Sequence, residues 1–310
     1  MITDDRKTKA QLVKELQALR RRLQRLERPP EGRSRARQLP RQDDYFEALV
    51  RDSPVAMVAV DLNADVGEGF GPYAMGADAE LLSLVTSANV ACGFHGGDPM
   101  VIDRTVALAA RHHLAIGAHP GHYDLRGFGR RPIAVPPAEI ERDVLYQVGA
   151  LQAFTRSHGV ELAHVKPHGA LYNQAATDEA MAEAVARGVA RAGSDLVLVG
   201  LASSELMAAA AARVGLRFAA EGFADRRYEA DGTLQPRRIA GSVIEDPAEA
   251  AAQAVSIARD GRVTAADGRA VEVRAETLCL HGDNPAAVGN ARAVRRALDA
   301  AGISVRSLRG

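Results

Sequence analysis

Six short segments hold most of the groups in this chain that could move protons, bind anions or hold a metal ion. The first is Asp61-Leu62-Asn63-Ala64-Asp65-Val66-Gly67-Glu68-Gly69, and the second runs from Asn89 to Asp98 and contains Cys92 and His95. The third, Gly117 to His122, carries His119 and His122, and the fourth is His164-Val165-Lys166-Pro167-His168-Gly169. The last two are Glu221 to Arg227, with Asp225, Arg226 and Arg227, and His281-Gly282-Asp283-Asn284. Carboxylates beside imidazoles suit general acid–base work, and lysine and arginine suit phosphate or a developing oxyanion. Six of the nine histidines (95, 119, 122, 164, 168 and 281) fall in these segments, a distribution that packing does not account for. Gly67, Gly69, Gly93, Gly96, Gly97, Gly169 and Gly282 would let backbone N–H groups come close to a ligand, and some could form anion-binding nests.

Each segment follows a short apolar run. The runs are Met57–Leu62, Ser87–Ala91, Leu114–Ala118, Leu162–Val165, Leu196–Val199, Leu216–Ala219 and Thr277–Leu280. Between them lie amphipathic patterns near 77–86, 99–112, 137–158, 178–192, 203–213, 246–259 and 285–301. Strands alternating with helices predict βαβ units and a parallel sheet of seven strands. In a parallel β/α barrel the C-terminal ends of all strands face one mouth, so the six segments would converge there. Residues 221–275 are longer than one crossover needs. Asp231-Gly232 and Asp267-Gly268 are turn signals, and the second predicts a small hairpin.

The first 56 residues have a different texture. Leu12, Leu16, Leu19, Leu23 and Leu26 share one helical seam, a coiled-coil pattern only about two heptads long. Pro29 and Pro30 stop that helix, and residues 31–42 read as an Arg-rich flexible linker. This gives an α/β chain in two parts: a helical extension over 1–56 and a barrel over 57–310. The extension holds 14 basic and 9 acidic residues; because the whole chain is neutral, the remainder is negative by the same margin. Zero net charge offers no argument for a nucleic-acid partner. No apolar run approaches the roughly 20 residues a bilayer crossing needs, and no secretory signal is visible, so a cytoplasmic protein without a membrane partner is expected. Two cysteines without a CxxC also suit a reducing compartment.

Taken together and in order, DLNADVGEGFG, SANVACGFHGGDP, GAHPGHYDLRGFGRR, HVKPHGALYNQA, EGFADRRYEADGTLQPR and LCLHGDNP resemble the motifs of the LamB/YcsF family over residues 57–310. The resemblance implies a seven-stranded, distorted, TIM-like β/α barrel of the glycoside hydrolase/deacetylase type. It implies cleavage of 5-oxo-L-proline to L-glutamate with hydrolysis of ATP (as its Mg complex), alongside 5-oxoprolinase subunits B and C. A five-membered lactam is a stabilised amide; phosphorylating its carbonyl oxygen would create a leaving group and let water attack the carbon. On this reading Asp65 is the first choice for general base or metal ligand, with Asp61, Asn63 and Glu68 supporting it on the substrate side. His95, His119 and His168 would orient water or bind a metal, and Lys166 would meet phosphate or the oxyanion. Arg226 or Arg227 would take the substrate carboxylate, with His281 and Asp283 nearby. A divalent metal would be held by Asp65, His95 and His119. The chain departs from the family pattern at His122-Tyr123, where an aromatic residue followed by proline is usual, and at Arg226-Arg227, where Arg-Gly is usual.

Plainer roles compete. Asp61 could cap a helix, His112-His113 ends a helix and meets its dipole, and Cys92 and Cys279 read as small buried hydrophobes. Gly67-x-Gly69-x-Gly71 is a weak nucleotide signal, and GxxxxGK[ST] is absent. Two other functions remain open. One is a metal-dependent deacetylase or glycan hydrolase on the same barrel. The other is a regulatory or scaffolding protein that uses the leucine seam, since residues 43–62 look like the entry to a PAS sensor domain. That likeness ends where the barrel begins, and the extension reads instead as a fused remnant or the product of an upstream start codon, with Met57 where chains of the family usually begin.

Overall fold

The chain alternates β-branched or apolar runs with alanine-rich amphipathic stretches, and each run forms one strand of a barrel wall. A computed structural model describes residues 59–282 and 286–309. The leucine seam, the linker, Met57 and Asp283 lie outside the described residues.

Seven parallel strands close the barrel: β1 (Ala59–Val66), β2 (Ser87–Ala91), β3 (Ala115–His119), β4 (Leu162–Val165), β5 (Val197–Leu201), β6 (Arg217–Phe223) and β9 (Thr277–His281). Closure comes from β9 pairing with both β6 and β1, where Asp61 sits opposite Thr277 and Asp65 opposite His281. A two-stranded antiparallel hairpin, β7 (Arg262–Thr264) and β8 (Ala270–Glu272), turns at Asp267-Gly268 as the sequence predicts. The short β10 (Ser304–Val305) adds to the beginning of β1.

Helices cover the outside: α1 (Asp78–Leu81), α2 (Pro99–Arg111), α3 (Pro137–Ser157), α4 (Gly169–Thr177), α5 (Glu179–Ala192), α6 (Glu205–Arg213), α7 (Pro247–Asp260) and α8 (Ala287–Ala300). Their ends follow local chemistry. The Asp98 carboxylate accepts from the Met100 and Val101 N–H groups with Pro99 in the first turn of α2, and Asp246 with Pro247 starts α7 the same way. Gly261 ends α7 in a left-handed conformation (φ 63°). The apolar faces of the helices and strands merge into one large core, with a small separate cluster of Val197, Val199 and Ala219.

Two expectations change. β1 and β6 run four residues beyond their expected ends at Leu62 and Ala219. The polar residues that suggested loops are interior residues of the strands: Asp61, Asn63 and Asp65 alternate with the apolar Val60, Leu62, Ala64 and Val66, and all are buried. α4 is an additional helix that the sequence pattern does not announce, because it follows directly on a histidine- and glycine-rich motif.

Candidate active site

Three polar layers fill the barrel from its floor to its mouth. At the floor, Asp61 accepts hydrogen bonds from the hydroxyls of Ser87 (2.6 Å), Thr86 (2.7 Å) and Thr277 (2.5 Å). Burial pushes its carboxyl pKa up against the lowering effect of those donors.

The middle layer is an amide network. Asn89 Nδ2 donates to Asn63 Oδ1 (2.7 Å) and to Asp65 Oδ1 (2.8 Å), and its own oxygen meets His164 Nε2 (2.7 Å). That oxygen can only accept, so His164 Nε2 carries the proton. Asn63 Nδ2 donates in turn to Glu221 Oε1 (3.1 Å) and Thr277 Oγ1 (2.7 Å). His164 fits inside the wall because β3 carries Gly117 opposite it; a Cβ there would collide with the imidazole. Burial and then Lys166 lower the His164 pKa to about 3, so this ring is neutral.

Lys166 joins the middle to the mouth. Its ammonium donates to Asp65 Oδ1 (2.9 Å) and Cys279 Sγ (2.9 Å) and pairs with Glu221 Oε1 (2.9 Å). Burial opposes its charge, but Asp65 leads the neighbours that raise its pKa well above the usual lysine range. Burial likewise opposes the Asp65 carboxylate, yet His119 and Lys166 hold its pKa well below the usual range. The result is a charged lysine between two carboxylates, at 2% exposure.

At the mouth, four buried groups from four loops or strand ends meet. His119 Nδ1 lies 2.8 Å from the Lys166 carbonyl oxygen, and its Nε2 lies 3.3 Å from Asp65 Oδ2 and 3.0 Å from His168 Nδ1. His168 Nε2 lies 2.8 Å from the Phe128 carbonyl oxygen. Phe128 presents that oxygen from a left-handed backbone (φ 54°), a strained conformation for a residue with a side chain. His95 stacks flat on His168, with centroids 3.7 Å apart and planes within 2°. Glu68 Oε1 lies 3.5 Å from both His95 Nε2 and His168 Nδ1. Burial, then neighbouring histidines, push the pKa values of His95 and His168 well down.

Above these layers opens a cavity of about 560 Å³. Asp65, His119, Lys166, His168, Tyr172 and His281 form part of its wall, and Arg130, Arg226, Arg237 and Arg238 form another part. His281 is oriented by Asp225, 3.0 Å from its Nδ1. Burial and then Arg237 lower the Arg226 pKa to about 10, and its guanidinium donates to the Gln235 carbonyl (2.6 Å).

The structure therefore brings Asp65, Glu68, His95, His119, Lys166 and His168 together, with His281 and Arg226 on the same cavity. Others go elsewhere. Asp61 is committed to the floor, and Asn63 lies beneath Lys166. Arg227 does not line the cavity; it turns outward to Glu249 (2.7 Å) and the Gly241 carbonyl. The expected metal group also changes. Glu68, His95, His119 and His168 offer atoms within 4.8 Å of one another, whereas Asp65 groups with Cys279 and His281. Several glycines expected to face a ligand face backbone instead: a Cβ on Gly96 would press on Glu68 O, and one on Gly169 on Gly129 O, each at 2.7 Å. Cys92 is buried and its pKa is pushed up to about 12 by that burial, which removes it as a nucleophile. Sequence reasoning missed Asn89, Tyr172, Arg130, Arg237 and Arg238 as site groups. All lie within or beside the six motifs, but uncharged residues and paired arginines (Arg130-Arg131 and Arg237-Arg238) carry no sign of direction.

Charged groups gathered at the C-terminal mouth of a closed parallel barrel define the chain as a β/α-barrel protein of the kind that builds its sites from strand-end loops. The profile of the LamB/YcsF family matches residues 60–310, and the chain belongs to that family. It is 57% identical over 251 residues to the A component of the 5-oxoprolinase of Methylococcus capsulatus, covering 81% of this chain and 96% of that one. It is 56% identical to the corresponding 5-oxoprolinase component of Symbiobacterium thermophilum, covering 79% and 94%. A crystal structure of a lactam utilization protein from Thermus thermophilus superposes with a TM-score of 0.76 at 50% identity, covering 81% of this chain and all of that one.

Proposed function

We propose that this chain is the A component of an ATP-dependent 5-oxoprolinase, converting 5-oxo-L-proline to L-glutamate together with subunits B and C. The observation that carries the reading is the Asp65–Lys166–Glu221 cluster at the base of an arginine-rimmed cavity, in a chain more than half identical to proteins of that name.

The chemistry fits the groups present. The lactam carbonyl oxygen takes the terminal phosphoryl group of ATP and ADP departs. Water then adds to the carbonyl carbon, the ring C–N bond breaks with a proton passing to the nitrogen, and a second water hydrolyses the resulting acyl phosphate to glutamate and phosphate. Arg226 suits the substrate carboxylate, and Arg130, Arg237 and Arg238 suit the phosphoryl oxygens. Lys166 faces the developing negative charge on the carbonyl oxygen, and Asp65 is the base closest to it. The two unpaired, buried cysteines suit a reducing cytoplasm, and among the described residues no helix is long and apolar enough to cross a membrane.

The test is a coupled glutamate-release assay on 5-oxoproline, with the chain alone and with B and C subunits, with and without MgATP. Glutamate formed only with ATP supports the proposal. ATP-independent, chelator-sensitive deacetylation, or no dependence on this chain, overturns it.

A further inference from the structure

Hydrogen-bond bookkeeping at the mouth points to a cation. The Lys166 carbonyl can only accept, so His119 Nδ1, 2.8 Å away, must carry a proton. The Phe128 carbonyl likewise fixes a proton on His168 Nε2, 2.8 Å away. In neutral rings the remaining nitrogens, His119 Nε2 and His168 Nδ1, both present lone pairs, and they face each other at 3.0 Å. Carboxylate oxygens close the same space: Asp65 Oδ2 is 3.3 Å from His119 Nε2, and Glu68 Oε1 is 3.5 Å from His168 Nδ1. Four electron-rich atoms from buried side chains thus crowd one point.

We propose that Glu68, His119 and His168 form a three-ligand site for one divalent transition metal, with its open position toward the cavity, and that His95 is a positioning residue rather than a ligand. Metal–nitrogen and metal–oxygen bonds of about 2.0–2.2 Å at tetrahedral angles set donors roughly 3.3–3.5 Å apart. The Glu68–His168 pair, at 3.5 Å, has that spacing, and the His119–His168 pair, at 3.0 Å, would open by a few tenths of an ångström around an ion. The two imidazole planes cross at 86°, so both lone pairs can reach a common centre. Each ring gives its far N–H to a backbone carbonyl, the outer-shell arrangement that orients metal-bound histidine. His95 cannot share the ion with His168 in this pose. Their planes are parallel and 3.7 Å separates the ring centroids, so an ion in the plane of one lies far out of the plane of the other. His95 instead braces His168 and lies 3.5 Å from Glu68 Oε1. Among the described residues neither of its ring nitrogens has a hydrogen bond. Two nitrogens and one carboxylate favour zinc, cobalt, manganese or iron(II) over magnesium, which prefers an all-oxygen shell. An ion with two histidines, one glutamate and an open position acidifies bound water. The site does not depend on the identity of the substrate.

The full chain, purified without chelator, is titrated with Co2+ and separately with Zn2+. The expected result is one ion per chain by elemental analysis after gel filtration, a visible cobalt ligand-field band that zinc abolishes, and a raised unfolding temperature with either ion. Glu68→Gln and His168→Asn should each weaken binding at least 100-fold, while His95→Phe, which preserves the stacking, should keep the cobalt band. Circular dichroism of both weakened variants separates lost ligation from lost fold, and the wild-type stoichiometry stands apart from either. Three results would overturn the proposal. One is wild-type protein that binds no stoichiometric cobalt or zinc and shows a His119 imidazolium by NMR instead. Another is undiminished binding in folded Glu68→Gln and His168→Asn. The third is complete loss of the band in His95→Phe, which would make His95 a ligand.

Discussion

The floor and the mouth of the barrel are built from the same kinds of residue, partly on the same strand, yet they are in opposite states. At the floor Asp61 has three hydroxyl donors around its carboxylate. Two turns of the strand alternation later, at Asp65 and just beyond at Glu68, carboxylate oxygens and imidazole nitrogens crowd within 3.0 to 3.5 Å of one another. Buried polar groups are ordinarily satisfied, and the floor follows that rule. On the proposed metal site, the mouth departs from it until an ion completes the cluster. In that reading the floor is a structural network and the mouth a binding one.

The sharpest test of that division is Lys166, which belongs to both. Lys166→Met leaves Asp65 and Glu221 close together with no cation between them. Breaking a buried charge cluster by removing one partner costs about 3–5 kcal/mol. Denaturant unfolding should register that loss, and glutamate release should fall below detection. A Lys166→Met protein of wild-type stability would remove the claim that this cation holds the two layers together.

Next comes a crossed pair of substitutions. Asp61→Asn replaces one acceptor with a donor beneath three hydroxyls, and a loss of about 1–3 kcal/mol in unfolding free energy is expected, with kcat and KM of the folded protein unchanged. His119→Asn should do the reverse: activity falls by about a hundredfold or more, with stability equal or higher, because removing one of two opposed lone pairs relieves repulsion. If Asp61→Asn abolishes activity in folded protein, the floor is not merely structural.

The same contrast explains what could be read without coordinates. Seven strands, seven of the eight described helices and the hairpin were legible because apolar runs such as Leu162–Val165 and the Asp267-Gly268 turn are local signals. The convergence of His95, His119, Lys166 and His168 followed from the parallel topology alone. What was not legible is the inward side of a strand. In Asp61-Leu62-Asn63-Ala64-Asp65 the period of two marks two faces, but a charged residue pointing into a barrel looks the same as one in a loop. Nor could spacing show that Asp61 is saturated and Asp65 is not, since their partners Thr277 and Lys166 lie far away in sequence.

A smaller effect separates the middle layer by pH. His164 is neutral in the fold, with its pKa lowered to about 3, against about 6.5 when unfolded. A depressed folded value means that the unfolded chain binds the extra proton first. His164 therefore adds stability that is intact above pH 6.5 and is lost as the pH falls toward 3, by about 1.4 kcal/mol per unit. His164→Gln, which can still donate to Asn89, should flatten the fall in unfolding free energy over that window by about that slope. An unchanged slope would mean that the imidazole is not held neutral by burial.

The finest distinction is between neighbours in sequence. Arg226 and Arg227 are chemically identical, and either could take a substrate carboxylate. Backbone geometry parts them. Arg226 is 6% exposed on the cavity wall, tied to the Gln235 carbonyl, while Arg227 points outward to Glu249. An exposed ion pair of the Arg227 kind contributes roughly 0–1 kcal/mol, so Arg227→Ala should leave KM for 5-oxoproline within about twofold and shift stability by no more than that. Arg226→Lys keeps the charge but loses the planar fork that binds a carboxylate through two parallel N–H groups, and KM should rise about tenfold with a smaller change in kcat. Steady-state kinetics of the two variants in the reconstituted enzyme decide the matter. A KM effect at Arg227 equal to that at Arg226 would place the carboxylate outside the barrel mouth and move the substrate away from Lys166.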